Sequence, residues 1–140
     1  MASAQVDALR QVPLLQQVEE RHLERLARSL KERTYREGAE ITTEGGATGN
    51  RFFFVIADGT ASVRVGGEER AKLGPGDYFG EMALIDEGAR TATVVAESDL
   101  RCYTLTPWEF RPFVEKHPEV AWTLLRTLMQ RLRQTDSGAQ

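Results

Sequence analysis

Cysteine is almost missing from this chain: Cys102 is the one thiol in 140 residues. That excludes a disulfide framework, and a lone cysteine in the alternating apolar run LRCYTL reads as a small buried side chain rather than a reactive one. Histidine is nearly as scarce. His22 and His117 both fall in helical or helix-boundary segments, away from the strand-like middle of the chain. A metal-dependent barrel enzyme needs several imidazoles and a carboxylate converging inside the barrel, and haem needs an axial histidine or cysteine, so no metal site and no cofactor are expected. Long apolar runs are also lacking. The opening thirty residues hold no segment of signal-peptide type, and nothing approaches the about eighteen apolar residues that span a bilayer, so the expected setting is cytoplasmic, without membrane contact. Charge of one sign is absent too: 18 Lys+Arg against 21 Asp+Glu leave a net charge of -3, which exerts no general pull on nucleic acid. Any anion this chain binds must be held by a local arrangement.

What is present has the size of a single domain with a core of its own. Leu23, Leu26, Ala27 and Leu30 follow a helical period, with Glu24 and Arg28 paired on the outer face, and the pattern breaks at Gly38. From there the period becomes two. EITTE, RFFFVIA, TASVRV, EERAKL, TVVA and LRCYTL read as short strands separated by glycine-rich turns, and Gly66-Gly67 suits a hairpin. Ala61, Val63 and Val65 share one face of their strand. The end turns helical again: Thr106, Pro107 and Glu109 form a start signal with a capping box, His117-Pro118 breaks that helix, and Val120, Leu124, Leu125, Leu128 and Leu132 make an apolar stripe on the next. The expected fold is mainly β with flanking helices, a jelly-roll barrel with an N-terminal helix and C-terminal helices. Residues 1–11 are assigned as an N-terminal extension, 12–135 as the domain and 136–140 as a frayed tail.

No serine occupies a nucleophile-elbow pattern, and isolated acids such as Glu81, Asp86 and Glu87 are usually solvated, so an enzyme is not expected. The informative stretch is FGEMALIDEGARTAT. Gly80 follows an aromatic residue and precedes good helix formers, and a helical turn starting there would present amides with no intrahelical acceptor. Arg90, further on, either points to solvent or turns inward to meet a negative group. Small neighbours at Thr91, Ala92 and Thr93 favour the inward choice. One phosphate would satisfy both the amides and the guanidinium, and Glu81 beside it makes sense if it accepts from a sugar hydroxyl. The residues thus point to a cyclic sugar-phosphate.

This stretch resembles the phosphate-binding cassette of the cyclic nucleotide-binding domain family, approximately F-G-E-[LM]-A-L, a short turn, then R-x-A-T, without insertion or deletion. LGPGDYFGE resembles the family's lead-in, and the likeness covers roughly residues 12 to 135. Gly46 and Asn50 stand where the family often has acids in a loop. The resemblance implies that the ligand is cAMP, with cGMP second. It implies that Glu81 accepts from the ribose 2′-OH with Gly80 allowing close approach, within the cassette residues Gly80, Glu81, Met82 and Ala83. It further implies that the amides of Ala83 and Thr91 and the Arg90 side chain hold the cyclic phosphate, and that Val63 lies against the base. A lid residue on the last helix is implied at Thr135, with Arg126, Arg131 and Arg133 as alternatives.

The expected role is a stand-alone regulatory module that senses a cyclic nucleotide and uses its C-terminal helix as a conformational lid. Its partner is an effector protein or a second copy through that helix. The competing expectation is a protein-interaction domain that keeps the fold without using nucleotide as a signal.

Overall fold

A computed structural model of the chain describes residues 3–45, 52–86 and 92–138. Helix α1 (Ala4–Arg10), a 3-10 turn (Pro13–Leu15) and α2 (Glu20–Ala27) come first. The strands follow: β1 (Lys31–Tyr35), β2 (Glu40–Thr42), β3 (Phe53–Asp58), β4 (Ala61–Val65), β5 (Glu68–Leu73) and β6 (Tyr78–Phe79). A second 3-10 turn (Glu81–Leu84) separates these from β7 (Thr93–Ala96) and β8 (Leu100–Leu105), and α3 (Pro107–Lys116) and α4 (Pro118–Gly138) close the chain. The strands form two antiparallel sheets of order β1-β8-β3-β6 and β2-β7-β4-β5, a jelly-roll sandwich rather than a closed barrel among the described residues. No helix among them is long and apolar enough to cross a membrane.

Strand β3 is apolar on both faces because both are covered. Phe53, Phe54, Val55 and Ile56 are each 0 or 1 % exposed. Phe53 and Val55 face the helices, in one core with Leu9, Leu15, Leu23, Leu26, Leu105, Phe110, Val120 and Leu124. Phe54 and Ile56 face the second sheet, in another core with Ile41, Ala61, Phe79, Val94, Leu100 and Cys102. Each such side chain contributes about 1.5–3 kcal/mol on burial, so this short strand anchors two layers at once. The sequence shows it as an unbroken apolar run where an alternation would mark a half-exposed strand.

The start signal at Thr106 is present in full. The Glu109 amide donates to Thr106 Oγ1 at 3.3 Å and the Thr106 amide donates to Glu109 Oε1 at 3.3 Å, which closes the capping box. Cys102 is fully buried, and burial pushes its thiol up to about 12.

In several places the structure departs from the sequence reading. The helical pattern does not persist to Gly38: α2 ends at Ala27, and Lys31–Tyr35 form β1, paired with β8 in the register Lys31↔Thr104 to Tyr35↔Leu100. KERTY carries no apolar alternation because this edge strand buries almost none of its side chains, and its charges keep the edge from pairing with other chains. The segment assigned as an N-terminal extension contains α1, whose Val6 and Leu9 are buried in the helical core. The last helix continues to Gly138, past the boundary set at residue 135. Only the first part of its apolar stripe is buried, at Val120 and Leu124, while Leu125, Leu128 and Leu132 are exposed.

Gly59, in the turn between β3 and β4, has φ of 93°, and a Cβ there would run into the Asp99 carbonyl oxygen. Gly74 has ordinary backbone geometry and open space around it. Urea melts should show Gly59→Ala destabilised by at least about 1 kcal/mol and Gly74→Ala within about 0.5 kcal/mol of the parent. Equal stabilities would show that this turn imposes no conformational demand.

Candidate functional site

The residues leading into the cassette are tied to β3 by backbone and side-chain bonds. Gly74 donates to Asp77 Oδ2 at 2.8 Å, Gly76 donates to the Ile56 carbonyl at 2.8 Å, and Ile56 donates to the Asp77 carbonyl at 2.8 Å. Strand β6 then pairs with β3 in the register Phe54↔Phe79 and Val55↔Tyr78. Phe79 stacks on Phe54 with ring centroids 4.5 Å apart and 12° between planes, which fixes where β6 stops. Gly80 follows with φ of 82°, a conformation that costs glycine little, and the chain reverses into the turn that begins at Glu81.

This reversal opens a cavity of about 240 Å³, lined by Thr42, Val63, Leu73, Tyr78, Phe79, Gly80, Glu81, Ala92 and Val94. Its walls come from β2, β4, β5, β6, the second 3-10 turn and β7. Thr42 Oγ1 donates to the Ala92 carbonyl at 3.2 Å and the Glu44 amide donates to Thr93 Oγ1 at 2.9 Å, so β2 holds the chain where it re-enters the sheet. The lining is apolar on the Val63, Leu73 and Val94 side and polar at Glu81 and Tyr78. Among the described residues its lining contains no histidine or cysteine.

Burial holds the Glu81 carboxyl above its ordinary value of 4.5, opposed in part by the positive charge of Arg131 and by a backbone hydrogen bond. Tyr78 is likewise raised, by burial first and by the negative charge of Glu81 second. A half-buried carboxylate that has lost part of its hydration is an acceptor in want of a donor, and a ligand hydroxyl answers that need better than a second anion does.

Gly80, Glu81 and Val63 line one cavity. Ala83 lies in the turn, where its amide donates to the Gly80 carbonyl at 3.1 Å. Arg90 and Thr91 lie outside the described residues, as do the Met82 side chain, Gly46 and Asn50. Ala92, the first described residue after them, lines the cavity. Thr135 is exposed on α4, and its hydroxyl donates to the Arg131 carbonyl at 3.1 Å, a bond within its own helix. It is not among the residues lining the cavity; of the α4 arginines, Arg131 is the one whose charge reaches Glu81 and Tyr78. Tyr78, Leu73 and Thr42 were missed by the sequence reading. Tyr78 directly precedes the cassette and carries a signal; Thr42 and Leu73 become neighbours only through strand pairing.

The turn that carries Glu81 has a second side. Leu84 is buried in the helical core. Leu84 and Ile85 line an apolar groove of about 300 Å³ whose other walls include Phe110 and Val114 of α3 and Leu124, Leu125 and Leu128 of α4. One short turn thus touches the polar cavity at its start and the C-terminal helices at its end.

Comparisons with known proteins place the chain in a family and a fold. Residues 32–117 match the family model described as the cyclic nucleotide-binding domain. The chain is 37% identical over 120 residues to a cyclic nucleotide-gated potassium channel of Mesorhizobium japonicum, covering 86% of this chain and 33% of that protein. It is 36% identical over 109 residues to the cyclic AMP receptor protein of Thermus thermophilus, covering 74% of this chain and 50% of that protein. The crystal structure of the N-terminal domain of a transcriptional regulator from Streptomyces coelicolor superposes with a TM-score of 0.82 at 31% identity, covering 94% of both chains. The chain spans half or less of the length of these two curated relatives.

The electrostatics can be checked without ligand. Carbon-13 NMR titration should find the Glu81 carboxyl protonating above 4.5, and Arg131→Gln should move it further up, because the lost cation no longer favours the carboxylate. An unchanged titration in the variant would show that α4 does not act on this carboxyl.

Proposed function

The chain belongs to the cyclic nucleotide-binding domain family, and from that premise we propose that it is a regulatory binding module for cAMP, with cGMP second. The observation that carries this reading is the half-buried Glu81 carboxyl at the polar end of a cavity whose opposite wall is apolar. In the complex Glu81 accepts from the ribose 2′-OH, and Gly80 leaves room for the sugar. Arg90 and the amides of Ala83 and Thr91 neutralise the cyclic phosphate. The base lies against Val63, Leu73 and Val94. In this reading the module binds the nucleotide and releases it unchanged.

Binding requires the Ala83 amide to exchange the Gly80 carbonyl for a phosphate oxygen, which reshapes the turn. Leu84 and Ile85 then shift against α3 and α4, and α4 closes with Arg131 toward the ligand and Thr135 a turn beyond. A ligand repositions a helix only if it binds one arrangement better than the other, so the apolar groove beside Leu84 must differ between the two states. The messenger is cytoplasmic, and so is the proposed site of action. The output passes to an effector protein or to a second copy.

A second reading is favoured by one observation. Trp122, Leu125, Leu128, Met129 and Leu132 on α4 are 40 to 63 % exposed, more apolar surface than a free helix face ordinarily carries. In that reading α4 is an interaction surface and nucleotide is incidental.

Titration calorimetry with cAMP, cGMP and 5′-AMP separates the two readings. Both cyclic nucleotides should bind the parent chain and 5′-AMP should bind weakly. Arg90→Ala should lose about 2–5 kcal/mol, roughly thirtyfold to several thousandfold in affinity. No binding of either cyclic nucleotide at millimolar concentration hands the chain to the interaction reading.

The pH dependence has a defined sign. The bound state needs Glu81 ionised, whereas burial raises the carboxyl above 4.5 in the free chain, so affinity should fall as pH drops through that raised value. Glu81→Gln should bind more weakly at neutral pH and lack this dependence. Retention of the full acid dependence in the variant would assign it to another group.

Amide exchange reports on the coupling. Ligand should slow exchange across residues 118 to 135, and protection confined to residues 79 to 93 would describe a binder without a switch.

A further inference from the structure

His22 and His117 are far apart in the chain, and neither belongs to the nucleotide cavity. The fold brings them together where α2 packs against the corner between α3 and α4. Their ring centroids are 4.9 Å apart, and Phe113 covers both, edge-on to His22 at 6.3 Å and tilted to His117 at 5.0 Å. Glu119, in the first turn of α4, completes the cluster. Its Oε1 lies 3.1 Å from His22 Nε2 and 3.8 Å from His117 Nδ1.

His22 is 4 % exposed, yet neither of its ring nitrogens has a hydrogen-bond partner among the described residues. Nε2 is close to the Glu119 oxygen but not aligned for a hydrogen bond with it. A buried imidazole in this position is short of a partner, and a cation placed between Nε2, Nδ1 of His117 and the carboxylate would supply one. The spacing suits such an ion. Ligands at 2.0–2.1 Å from a tetrahedral zinc ion are separated by about 3.3 Å, a value that lies between the 3.1 and 3.8 Å separations here. The three candidate ligand atoms all lie within 4.8 Å of one another, and His117 stands at the helix corner with a partly exposed side chain. Arg21 also faces Glu119 but is engaged by Glu19 at 3.0 Å. Two imidazoles and one carboxylate leave a fourth position for water and match the preferences of zinc over those of calcium or magnesium.

We propose that His22, His117 and Glu119 form a zinc-type divalent metal site that fastens the α3–α4 corner to α2. The ion binds both sides of that junction, so it stabilises the arrangement in which they touch and opposes any motion that pulls the base of α4 away. It shares no residue with the cavity, so its occupancy acts on the helix and not on the cavity wall.

The test uses the tag-free chain, stripped with chelator and free of nucleotide, titrated with Zn²⁺ by calorimetry and with Co²⁺ by visible absorption. One equivalent of Zn²⁺ should bind saturably and raise the melting temperature, and Co²⁺ should give the intense ligand-field bands of a tetrahedral site. His117→Ala and Glu119→Ala, both at the exposed corner and checked for folding by circular dichroism, should each weaken Zn²⁺ binding by at least about tenfold, the least that losing even an outer partner of a ligand costs. Non-saturable binding by the parent chain, or variants that bind one equivalent as tightly as it does, would overturn the site.

Discussion

The structure depends on covering both faces of β3. Phe53 and Val55 are held by the helices and Phe54 and Ile56 by the second sheet, so this strand ties the helical layer to the second sheet, as β8 does through Leu105 on one side and Leu100 and Cys102 on the other. The cassette is attached to the same strand. Phe79 stacks on Phe54 and the lead-in turn bonds to Ile56, so the position of Glu81 is set by the best-packed part of the molecule. A carboxyl held this way keeps its place despite the desolvation that raises it.

The turn from Glu81 to Leu84 is the point where chemistry meets mechanics. Its first residue faces the cavity and its last is buried among the helices. A short 3-10 turn has few internal bonds to lose, and one of them uses the Ala83 amide that a phosphate would claim. On the C-terminal helix Val120, Leu124 and Thr127 are buried, while Trp122, Leu125, Leu128, Met129 and Leu132 are 40 to 63 % exposed. The His22, His117 and Glu119 cluster sits at the base of this helix and would restrain it from the other side.

Much of this was legible in the sequence, for identifiable reasons. Strands β3, β4 and β8 are marked by an apolar run or by alternation, β5 by the Gly66-Gly67 turn before it, and α3 by its capping box. The cassette stands out in the sequence because a glycine, an acid and an arginine occur together in FGEMALIDEGARTAT. Strand β1 was not legible, because KERTY buries almost nothing and becomes a strand only by pairing with β8. Arg131 was one arginine among several on an exposed helix until the packing of α4 brought its charge to Glu81.

The sequence by itself determined those elements that local period, caps and turns mark, because these act between near neighbours, and it supplied a glycine, a carboxyl and a guanidinium whose character is the same in any fold. Only the tertiary structure decided which distant residues meet. Val63 reaches the cavity with Glu81 through sheet pairing, Leu84 reaches α4 through the turn, and His22 reaches His117 because α2 lies against the helix corner. Such contacts depend on how layers stack and how helices cross, and those are set by the summed burial of the core rather than by any local stretch of chain.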